Sequence, residues 1–321
     1  MNTLASINSF RSGPPVVIGI GANWPTFGWN SGAAVNNYYD ATISDTGQYQ
    51  MYVLYGGGSY PTGGCYLSTN YGASFAIVSG GLPTTGTYTC CRMSSTGQYV
   101  MVIRSGTGTY ISSNYGSNFT LTKSYTGGTI ACAVSASGLY MIAATQIDTI
   151  FYSSNYGVTW TGSTQVAKNW TRFCVNDSGI AIAVAYGDKA YYSSNYGANW
   201  TVSNTPATNW YGACMSSTGQ YVNICSTNGS NYYSSNYGQT YTVSTGSVFG
   251  QAIACTPDGQ YVIAGSGGGG KLQYSTNFGA TWNTNVTGMP HVATYALAMN
   301  GSGKYILAGG FSAKLYRCVG N

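Results

Sequence analysis

One nine-residue segment recurs along the chain, and its spacing limits the folds that the chain can adopt. The segment is clearest at residues 193–201, SSNYGANWT, and related copies begin at Ser68, Ser112, Ser153, Ser234 and Ser275. The asparagines of successive copies are 44, 41, 40, 41 and 41 residues apart. So regular a period is typical of repeat architectures and not of low-complexity sequence.

Each copy has the composition of a tight turn between two strands. The Ser and Asn side chains can hydrogen-bond the neighbouring backbone, and the Gly can adopt a positive φ that other residues resist. The aromatic residue that follows can fill the core. We therefore predict a structural turn role for the six asparagines, which are Asn70, Asn114, Asn155, Asn195, Asn236 and Asn277.

A second motif alternates with the first. It reads SSTGQY at residue 94 and recurs in related form at residues 44, 135, 176, 216, 256 and 300. Short apolar runs flank it, which is the signature of a β-hairpin. One period thus holds four strands in about 41 residues, the length of one propeller blade. The sequence predicts an all-β fold, a seven-bladed β-propeller of four-stranded antiparallel blades.

The two ends of the chain are expected to complete the last blade together. Residues 313–318 align with a third strand, and residues 21–24 (GANW) repeat residues 197–200 letter for letter. We therefore expect an N-terminal strand around residues 24–27 to close the last blade, which removes the open edges of the sheet. Residues 21–321 are predicted to be one propeller domain, and residues 1–20 an N-terminal arm.

The recurring segment resembles the Asp-box (BNR) repeat, Ser-x-Asp-x-Gly-x-x-Trp, of sialidases, sortilin-type receptors and xyloglucan-cleaving glycosidases. In that family the box closes the turn between the third and fourth strands of a β-propeller blade, so the resemblance implies the same fold. All six copies here carry Asn where the family has Asp. Asn retains the side-chain-to-backbone bond, but a role that needs a negative charge does not carry over. We name the segment the box.

Composition excludes some classes of partner and compartment. Charged residues make up 5% of the chain, against about 25% in typical domains, and glutamate is absent. The net charge of +5 is thinly spread with no basic run, so we expect no nucleic-acid partner. Residues 1–20 lack a secretory signal pattern, and no apolar stretch reaches 18 residues. We therefore expect synthesis in the cytosol and no membrane insertion.

No cofactor or metal is expected. The nine cysteines contain no CxxC pair, and His291 is the only histidine, so a zinc set cannot be completed. Five cysteines fall just before the hairpin turns and are predicted to be buried free thiols, as suits a reducing cytosol. They are Cys91, Cys132, Cys174, Cys214 and Cys255.

Candidate ligand-binding residues lie where loops lead into the innermost strand of each blade. Propeller ligands usually bind at that end of the central channel. Tyr and Trp there offer apolar area with a hydrogen-bonding handle, which suits a sugar face or a protein partner. The alternative is that these aromatic rings simply wedge neighbouring blades apart. The predicted rim consists of Tyr38, Tyr88, Trp170, Trp210, Tyr211 and Tyr295, with Arg172 and Asp40 beside them.

Catalysis is not expected. The sialidase resemblance implies an arginine triad and a Tyr activated by Glu, but the chain has no Glu and its arginines form no triad by register. Glycoside hydrolysis needs two carboxylates about 5 to 9.5 Å apart. Asp148 and Asp188 share a register in consecutive blades, where we expect a wider separation, and Asp40 lies alone near the channel. His291 is expected in a solvent-facing loop.

Three hypotheses for function remain open. The first is a non-enzymatic interaction or structural propeller on the surface of a virion or other large particle, with protein partners or self-assembly through residues 1–20. A surface poor in charge and rich in Tyr, Asn, Ser and Thr is similar to that of virion-surface and fibre proteins; a cytoplasmic location is the alternative. The second is a glycan-binding lectin that uses the channel-mouth aromatics. The third is a glycoside hydrolase with an atypical site.

Overall fold

A computed structural model describes residues 28–31, 35–56, 63–125, 128–145, 149–246, 250–266, 268, 270, 272–284 and 293–319. Over these residues the regular structure is entirely β-strand, without a helix. The predicted arm, residues 1–20, and the predicted closing strand, residues 24–27, lie outside the described residues.

The strands form antiparallel sheets that follow chain order. After β1 (Gly28–Ser31), the first sheet contains β2 (Tyr38–Ile43), β3 (Gln50–Leu54), β4 (Gly64–Ser68) and β5 (Ala76–Ile77). The next contains β6 (Tyr88–Met93), β7 (Val100–Arg104), β8 (Gly108–Ser112) and β9 (Thr120–Ser124). A further sheet contains β10 (Thr129–Val134), β11 (Met141–Thr145), β12 (Ile150–Ser153) and β13 (Thr161–Gly162).

The middle of the chain repeats the pattern twice. One group contains β14 (Trp170–Val175), β15 (Ala181–Asp188), β16 (Ala190–Ser193) and β17 (Thr201–Val202). The other contains β18 (Thr208–Met215), β19 (Val222–Ser226), β20 (Tyr232–Ser234) and β21 (Thr242–Val243). The two groups are joined, because the end of β15 pairs with the start of β18 and sets Tyr186 opposite Asn209.

The last part of the chain brings in the N-terminal strand. First come β22 (Ala252–Cys255), β23 (Val262–Gly265) and β24 (Gln273–Ser275), with a single bridge from Tyr274 to Asn283 in the fourth position. Then come β25 (Ala296–Met299), β26 (Tyr305–Gly309) and β27 (Tyr316–Val319), and β1 pairs antiparallel with β27. Strands from the two ends of the chain therefore share one sheet.

The first strands of the sheets form a ring around a central channel. Each contacts the next, and β25 contacts β2, so the ring closes. In order they are β2, β6, β10, β14, β18, β22 and β25. The second strands lie between neighbouring sheets and are buried on both faces, as in the run VMVI of β7 and the run MIAAT of β11. Burying one Ile or Met of such a run contributes about 1.5–3 kcal/mol to stability.

Strand order gives the ring two distinct faces. The turns between first and second strands and those between third and fourth strands lie on one face, which we name the turn face. The remaining loops lie on the other, which we name the cavity face. On the turn face, hairpin turns bond to their neighbours around the ring: Asp45 N–H donates to the Ser95 carbonyl (2.8 Å), and Ser95 N–H donates to the Ala136 carbonyl (2.9 Å).

The box turns share one hydrogen-bond scheme. Ser193 Oγ accepts from the backbone N–H groups of Asn195 (3.2 Å) and Gly197 (3.0 Å), and it donates to Asn195 Oδ1 (2.9 Å). Asn195 Oδ1 also accepts from the N–H of Asn199 (3.0 Å). Since a carboxylate could make the same acceptor contacts, the turn needs an oxygen at this position and not a charge.

The asparagine amide group makes one contact that an aspartate could not make. In four copies it donates to a hydroxyl four residues further on, in the pairs Asn70–Ser74, Asn155–Thr159 and Asn236–Thr240 (each 2.9 Å) and Asn277–Thr281 (3.0 Å). The exchange of Asp for Asn in this chain is thus matched by a hydroxyl acceptor inside the same turn.

The aromatic residue before each box glycine has a left-handed backbone that the sequence did not predict. Tyr71, Tyr115, Tyr156, Tyr196, Tyr237 and Phe278 have φ between 60° and 63°. A positive φ was predicted for the box glycine alone, whereas the aromatic residue before it adopts a positive φ as well. A non-glycine residue in this region is strained by about 1–2 kcal/mol.

Ring stacking between neighbouring sheets offsets that strain. Each of these box rings except Tyr237 packs against the tyrosine of the preceding sheet's hairpin motif. The centroid distances are 4.8 Å for Tyr49–Tyr115, 4.5 Å for Tyr99–Tyr156, 3.8 Å for Tyr140–Tyr196, 4.1 Å for Tyr221–Phe278 and 5.6 Å for Tyr305–Tyr71. Aromatic pairs contribute about 0.5–1.5 kcal/mol beyond the area they bury. The repeated tyrosines therefore stabilise the contact between neighbouring sheets.

One prediction about the cysteines is wrong. Cys132, expected to be a free thiol, forms a disulfide with Cys90, and their Cα atoms are 6.2 Å apart. The two residues lie on β6 and β10, neighbouring strands of the ring, which brings them together across a sheet boundary. The other four cysteines named with Cys132 are free; Cys91 and Cys214 are buried, and Cys174 and Cys255 are half-buried.

Candidate binding site at the channel mouth

Four of the predicted rim aromatics do not face the channel mouth. The exposed fraction is 1% for Tyr38 and 0% for Tyr88, Trp170 and Trp210. Trp170 packs against Tyr191 and Trp210 against Tyr232, edge to face at 5.5 and 5.3 Å between ring centroids. The rim prediction therefore fails for these four side chains, because they fill the space between sheets and present no face to a ligand.

The residue after each of them is the one that reaches the channel. The ring strands carry a β-bulge here, with register shifts between Tyr38 and Asp40, Trp170 and Arg172, and Trp210 and Gly212. A bulge inserts an extra residue and re-aims side chains. Tyr39, Thr171 and Tyr211 occupy the bulged positions and line the cavity.

The cavity on the cavity face has a volume of about 430 Å³. A space of this size accepts a short peptide segment or one or two sugar rings. Its walls combine tyrosine rings, amide side chains and one guanidinium group. The lining residues are Tyr39, Asn169, Thr171, Arg172, Tyr186, Tyr211, Gln251 and Tyr295.

Tyrosine rings form the walls by packing on one another. The rings of Tyr186 and Tyr211 meet edge to face at 5.8 Å, held there by the pairing of β15 with β18. Opposite them, Tyr39 and Tyr295 both pack edge to face on Phe311, at 5.8 and 4.6 Å. Rings supported on one side in this way are rigid, so a ligand would meet a preformed surface.

A charged cluster lies in the channel at the base of the cavity. Asp40 is buried, with 2% of its side chain exposed, and its Oδ2 accepts hydrogen bonds from Arg92 Nη1 (2.6 Å), Arg172 Nη1 (3.2 Å) and the backbone N–H of Cys91 (3.2 Å). The two guanidinium groups are 23% and 14% exposed. Two positive charges facing one negative charge leave the cluster with a net charge of +1.

Two further groups define the hydrogen-bonding character of the cavity. Burial raises the pKa of Tyr39 although the nearby Arg172 lowers it, so the hydroxyl stays protonated at neutral pH and can donate. Gln251 Oε1 is buried and has no hydrogen-bond partner within the described protein. Such an orphan polar atom costs about 1–3 kcal/mol unless water or a ligand satisfies it.

Of the predicted site residues, the structure brings Arg172, Tyr211 and Tyr295 together in the cavity, with Asp40 just beneath. Sequence reasoning missed four of the lining residues, which are Asn169, Thr171, Tyr186 and Gln251. A shared register could have found Gln251, because it occupies the position in its sheet that Tyr39, Tyr211 and Tyr295 occupy in theirs. Asn169 lies in the loop before β14, and Tyr186 lies in the end of β15 that extends beyond its own sheet, so neither position follows from the repeat.

None of the described residues that line the cavity is a carboxylate. Asp188 lies near the rim, but Lys168 Nζ binds its Oδ2 at 2.5 Å. Burial raises the pKa of Asp188, but the hydrogen bonds from Lys168 Nζ and from the Lys189 backbone N–H outweigh it and hold the pKa below its ordinary value. Asp148 and His291 lie outside the described residues. Nor does any group of three or more His, Cys, Asp or Glu among the residues described here have a metal-binding arrangement.

A second cavity, of about 290 Å³, opens on the turn face. Free thiols of Cys174, Cys214 and Cys255 line it, together with Arg92 from below. Burial raises the pKa of Cys174 to about 12 and that of Cys214 well above its ordinary value. The thiols of Cys174 and Cys214 therefore stay protonated and unreactive at neutral pH.

Within the part of the chain that the structure describes, no helix is long and apolar enough to cross a membrane. Comparison with known proteins gave fold neighbours only. Neither the protein-family models nor the curated proteins match this sequence.

Among solved structures, "YCF48 bound to D1 peptide" superimposes with a TM-score of 0.67 at 15% identity, covering 92% of this chain and 97% of that one. YCF48 from Cyanidioschyzon merolae gives 0.66 at 14%, covering 91% and 98%. U3-55K gives 0.73 at 7%, covering 91% and 98%. All are propellers. At these identities the likeness concerns the fold alone, and it establishes that this chain is similar to β-propellers over nine-tenths of its length.

Proposed function

We propose that this chain is a non-enzymatic interaction propeller of seven blades, closed by its N-terminal strand, which binds a segment of a protein partner in the cavity on its cavity face. The observation that carries the proposal is the tyrosine-walled cavity of about 430 Å³, with Arg172 at its base. Tyrosine and arginine are the side chains that dominate protein recognition sites, because they combine large contact area with directional hydrogen bonds.

Other features support binding over catalysis. Among the described residues, the one carboxylate at the base of the cavity is that of Asp40, which already accepts bonds from two arginines and so is not free to act on a substrate. The structural neighbour YCF48 was solved with a D1 peptide, so a propeller of similar fold accommodates a peptide. We extend the Asp-box kinship to this chain on its six box turns, which keep the serine, the side-chain oxygen and the glycine of that repeat.

A peptide array tests the proposal. We expect the full chain to bind a subset of random peptides, and we expect Tyr211→Ala to lose that binding by roughly tenfold or more, as for a buried aromatic anchor. Tyr115→Ala on the turn face is the matched control, because it removes the same side chain far from the cavity and should bind as the wild type does. Equal binding by wild type and Tyr211→Ala would overturn the assignment of the cavity.

A glycan is the second candidate ligand. The observation that favours it is the set of tyrosine rings at the mouth, since sugar faces stack on such rings. Because Trp170 and Trp210 are buried, a lectin of this fold would use Tyr186, Tyr211 and Tyr295 instead. A glycan array with the same two variants separates the candidates: a glycan that binds wild type and not Tyr211→Ala, with no peptide bound, would favour the lectin.

We further propose that the propeller is synthesised in the cytosol and serves on the surface of a virion or other large particle, with a cytoplasmic location as the alternative. The support is the surface poor in charge and the arm of residues 1–20. Light scattering on the full chain and on a version that lacks residues 1–20 tests self-assembly. We expect the full chain alone to associate; two monomers of about 34 kDa or less would contradict an assembly role for the arm.

A further inference from the structure

We infer that the cavity on the cavity face is a carboxylate-binding site, which recognises either the C-terminal carboxylate or an Asp or Glu side chain of a bound peptide. The inference rests on the proposed function, peptide binding in that cavity, and it names the chemical group that the site selects.

An excess positive charge lies at the base of the cavity. Asp40 can neutralise only one of the two arginines that hold it, and the geometry assigns it mainly to Arg92: the Nη1–Oδ2 distance is 2.6 Å for Arg92 and 3.2 Å for Arg172. Arg172 thus keeps an excess positive charge at the base of the cavity. A partly buried charge without a full counter-ion is costly, and a ligand anion relieves that cost.

The guanidinium group of Arg172 has N–H donors that Asp40 does not use. Arg172 uses only Nη1 toward Asp40, and a guanidinium group has five N–H donors in a planar fork that matches a carboxylate. Only 14% of its side chain is exposed, so a bound carboxylate would replace little water. The fork and the walls therefore favour a flat anion over a neutral amide.

The side-chain amide of Gln251 is a further polar group of the same cavity. Its Oε1 is buried without a partner, and the residue lines the same cavity. The two ends of a glutamine amide differ only by a flip, so Gln251 can turn its NH₂ group toward an incoming oxygen. The Tyr39 hydroxyl, kept protonated by burial, is a further donor on the same wall.

The walls restrict what carries the carboxylate. Tyr186, Tyr211 and Tyr295 surround the guanidinium group with ring surface, which leaves room for the apolar part of a peptide beside its charged group. The described lining contains no acidic side chain that would repel the ligand. A peptide with a free carboxylate thus satisfies the charge, the donors and the ring walls at once.

Three pools of fluorescent random hexapeptides test the inference on the full-length chain by fluorescence anisotropy. One pool lacks Asp and Glu and has a free C-terminus, the second is the same pool with an amidated C-terminus, and the third is amidated with one fixed Asp or Glu. We expect the first or the third pool to bind about 10- to 100-fold more tightly than the neutral amidated pool, as for one charge-assisted pair. Which of the two binds identifies the source of the carboxylate.

Arg172→Gln should reduce the binding of that pool to the level of the neutral pool. The Arg92–Asp40 ion pair remains in this variant, so the buried carboxylate keeps a counter-ion. Arg317→Gln is the matched control: it removes the same charge from a guanidinium that donates to the Tyr71 carbonyl on the turn face (3.3 Å), and binding should not change. Arg172→Lys keeps the charge without the fork, and we expect an intermediate loss.

A measurement on the wild type alone guards against variants that fail to fold. Acetate should displace the bound pool at concentrations where acetamide does not. Equal binding of all three pools, unchanged in Arg172→Gln, would overturn the carboxylate site and leave peptide binding standing. If no pool binds, the proposed function itself is wrong and the inference with it. A glucuronate-containing oligosaccharide that binds more tightly than every pool would overturn the assignment to a peptide.

Discussion

The turn face and the cavity face of the ring are built on different principles. On the turn face, one set of contacts recurs from sheet to sheet: the serine-centred box turn, the left-handed pair of aromatic and glycine, and the stacked rings. On the cavity face, the lining side chain at the equivalent position differs between sheets: it is a tyrosine in three of them, a threonine in one and a glutamine in another (Tyr39, Tyr211, Tyr295, Thr171 and Gln251). The repeated residues join neighbouring sheets, and the residues that differ between sheets give the cavity its chemical character.

The two faces also differ in how much change they should tolerate. The turn face is tightly packed where the repeated residues meet and its turns have nearly constant length, whereas the loops of the cavity face vary in length from sheet to sheet. Substitutions on the turn face should therefore cost stability and leave binding intact. Substitutions on the cavity face should do the reverse, as for Tyr211 and Arg172 above.

The largest contrast in stability should come from two glycines with the same left-handed backbone. Gly238 in a box has φ +74°, and a Cβ there would lie 2.3 Å from Ile182 Cδ1; Gly187 on the cavity face has φ +72° with open space around it. We expect Gly238→Ala to lower the free energy of unfolding by about 3 kcal/mol and Gly187→Ala by about 1 kcal/mol. Urea denaturation measures both, and equal losses would contradict the contrast.

Alkaline pH should unfold the protein through tyrosines buried between sheets. Burial raises the pKa of Tyr38 to about 12 and raises that of Tyr52 as well. An unfolded tyrosine ionises near 10, so the unfolded state releases its protons first. The stability that these groups contribute is complete below about pH 10 and is lost as pH rises through the raised pKa; by pH 11, Tyr38 alone should account for about 1 kcal/mol of that loss. Urea denaturation from pH 7 to 11 checks this, and Tyr52→Phe should reduce the loss.

Removing the hydroxyl at the centre of a box should destabilise the turn face alone. Ser234 Oγ accepts from the backbone N–H groups of Asn236 (3.2 Å) and Gly238 (3.0 Å). Ser234→Ala leaves those buried donors unpaired, which should cost about 1–3 kcal/mol by thermal or urea denaturation. Peptide binding in the cavity should be unchanged. A binding loss comparable to that of Tyr211→Ala would contradict the expectation that turn-face substitutions affect stability and not binding.

The stacked rings of neighbouring sheets should be coupled energetically. Tyr140 and Tyr196 have centroids 3.8 Å apart, the shortest of the ring pairs described here. A double-mutant cycle with leucine at each position should give a coupling of about 1 kcal/mol. A coupling indistinguishable from zero would mean that the two rings lie together without stabilising the junction.

The smallest effect should come from restoring the family's own residue. In Asn155→Asp, the side-chain oxygen still accepts from Ser153 and Thr159, and the Thr159 hydroxyl can turn to donate where it now accepts. We expect a change within about 0.5 kcal/mol at neutral pH. Asn155→Ala, which removes the hydrogen bonds of both the side-chain oxygen and the amide group, should cost about 1 kcal/mol. Comparing the two variants therefore shows whether the turn needs the oxygen or the amide group.

How much could be predicted depended on whether a residue belongs to the repeat. The turns around Asn195 and the hairpin at residue 94 follow from local chemistry, so their positions could be read from spacing. The cavity residues could not be read in the same way. Trp170 and Trp210 stand where rim residues were expected, but a bulge in each strand turns them into the sheet boundary and brings Thr171 and Tyr211 to the channel.

Three further features depended on contacts between distant parts of the chain. The Cys90–Cys132 disulfide joins residues whose registers differ by one position, which spacing alone does not reveal. Asp40 meets Arg172 across 132 residues of sequence. Tyr186 reaches the cavity because β15 continues past its own sheet to pair with β18.

The all-β repeat, the period and the turn chemistry follow from the amino-acid sequence, because each turn is set by residues close together in the chain and the period is the spacing of its copies. The folded ring, in contrast, sets which side chains surround the cavity and where the net charge lies. Those properties arise from closing the ring, which brings strands far apart in the chain to a common axis, and small bulges in the strands then select the residues that face it.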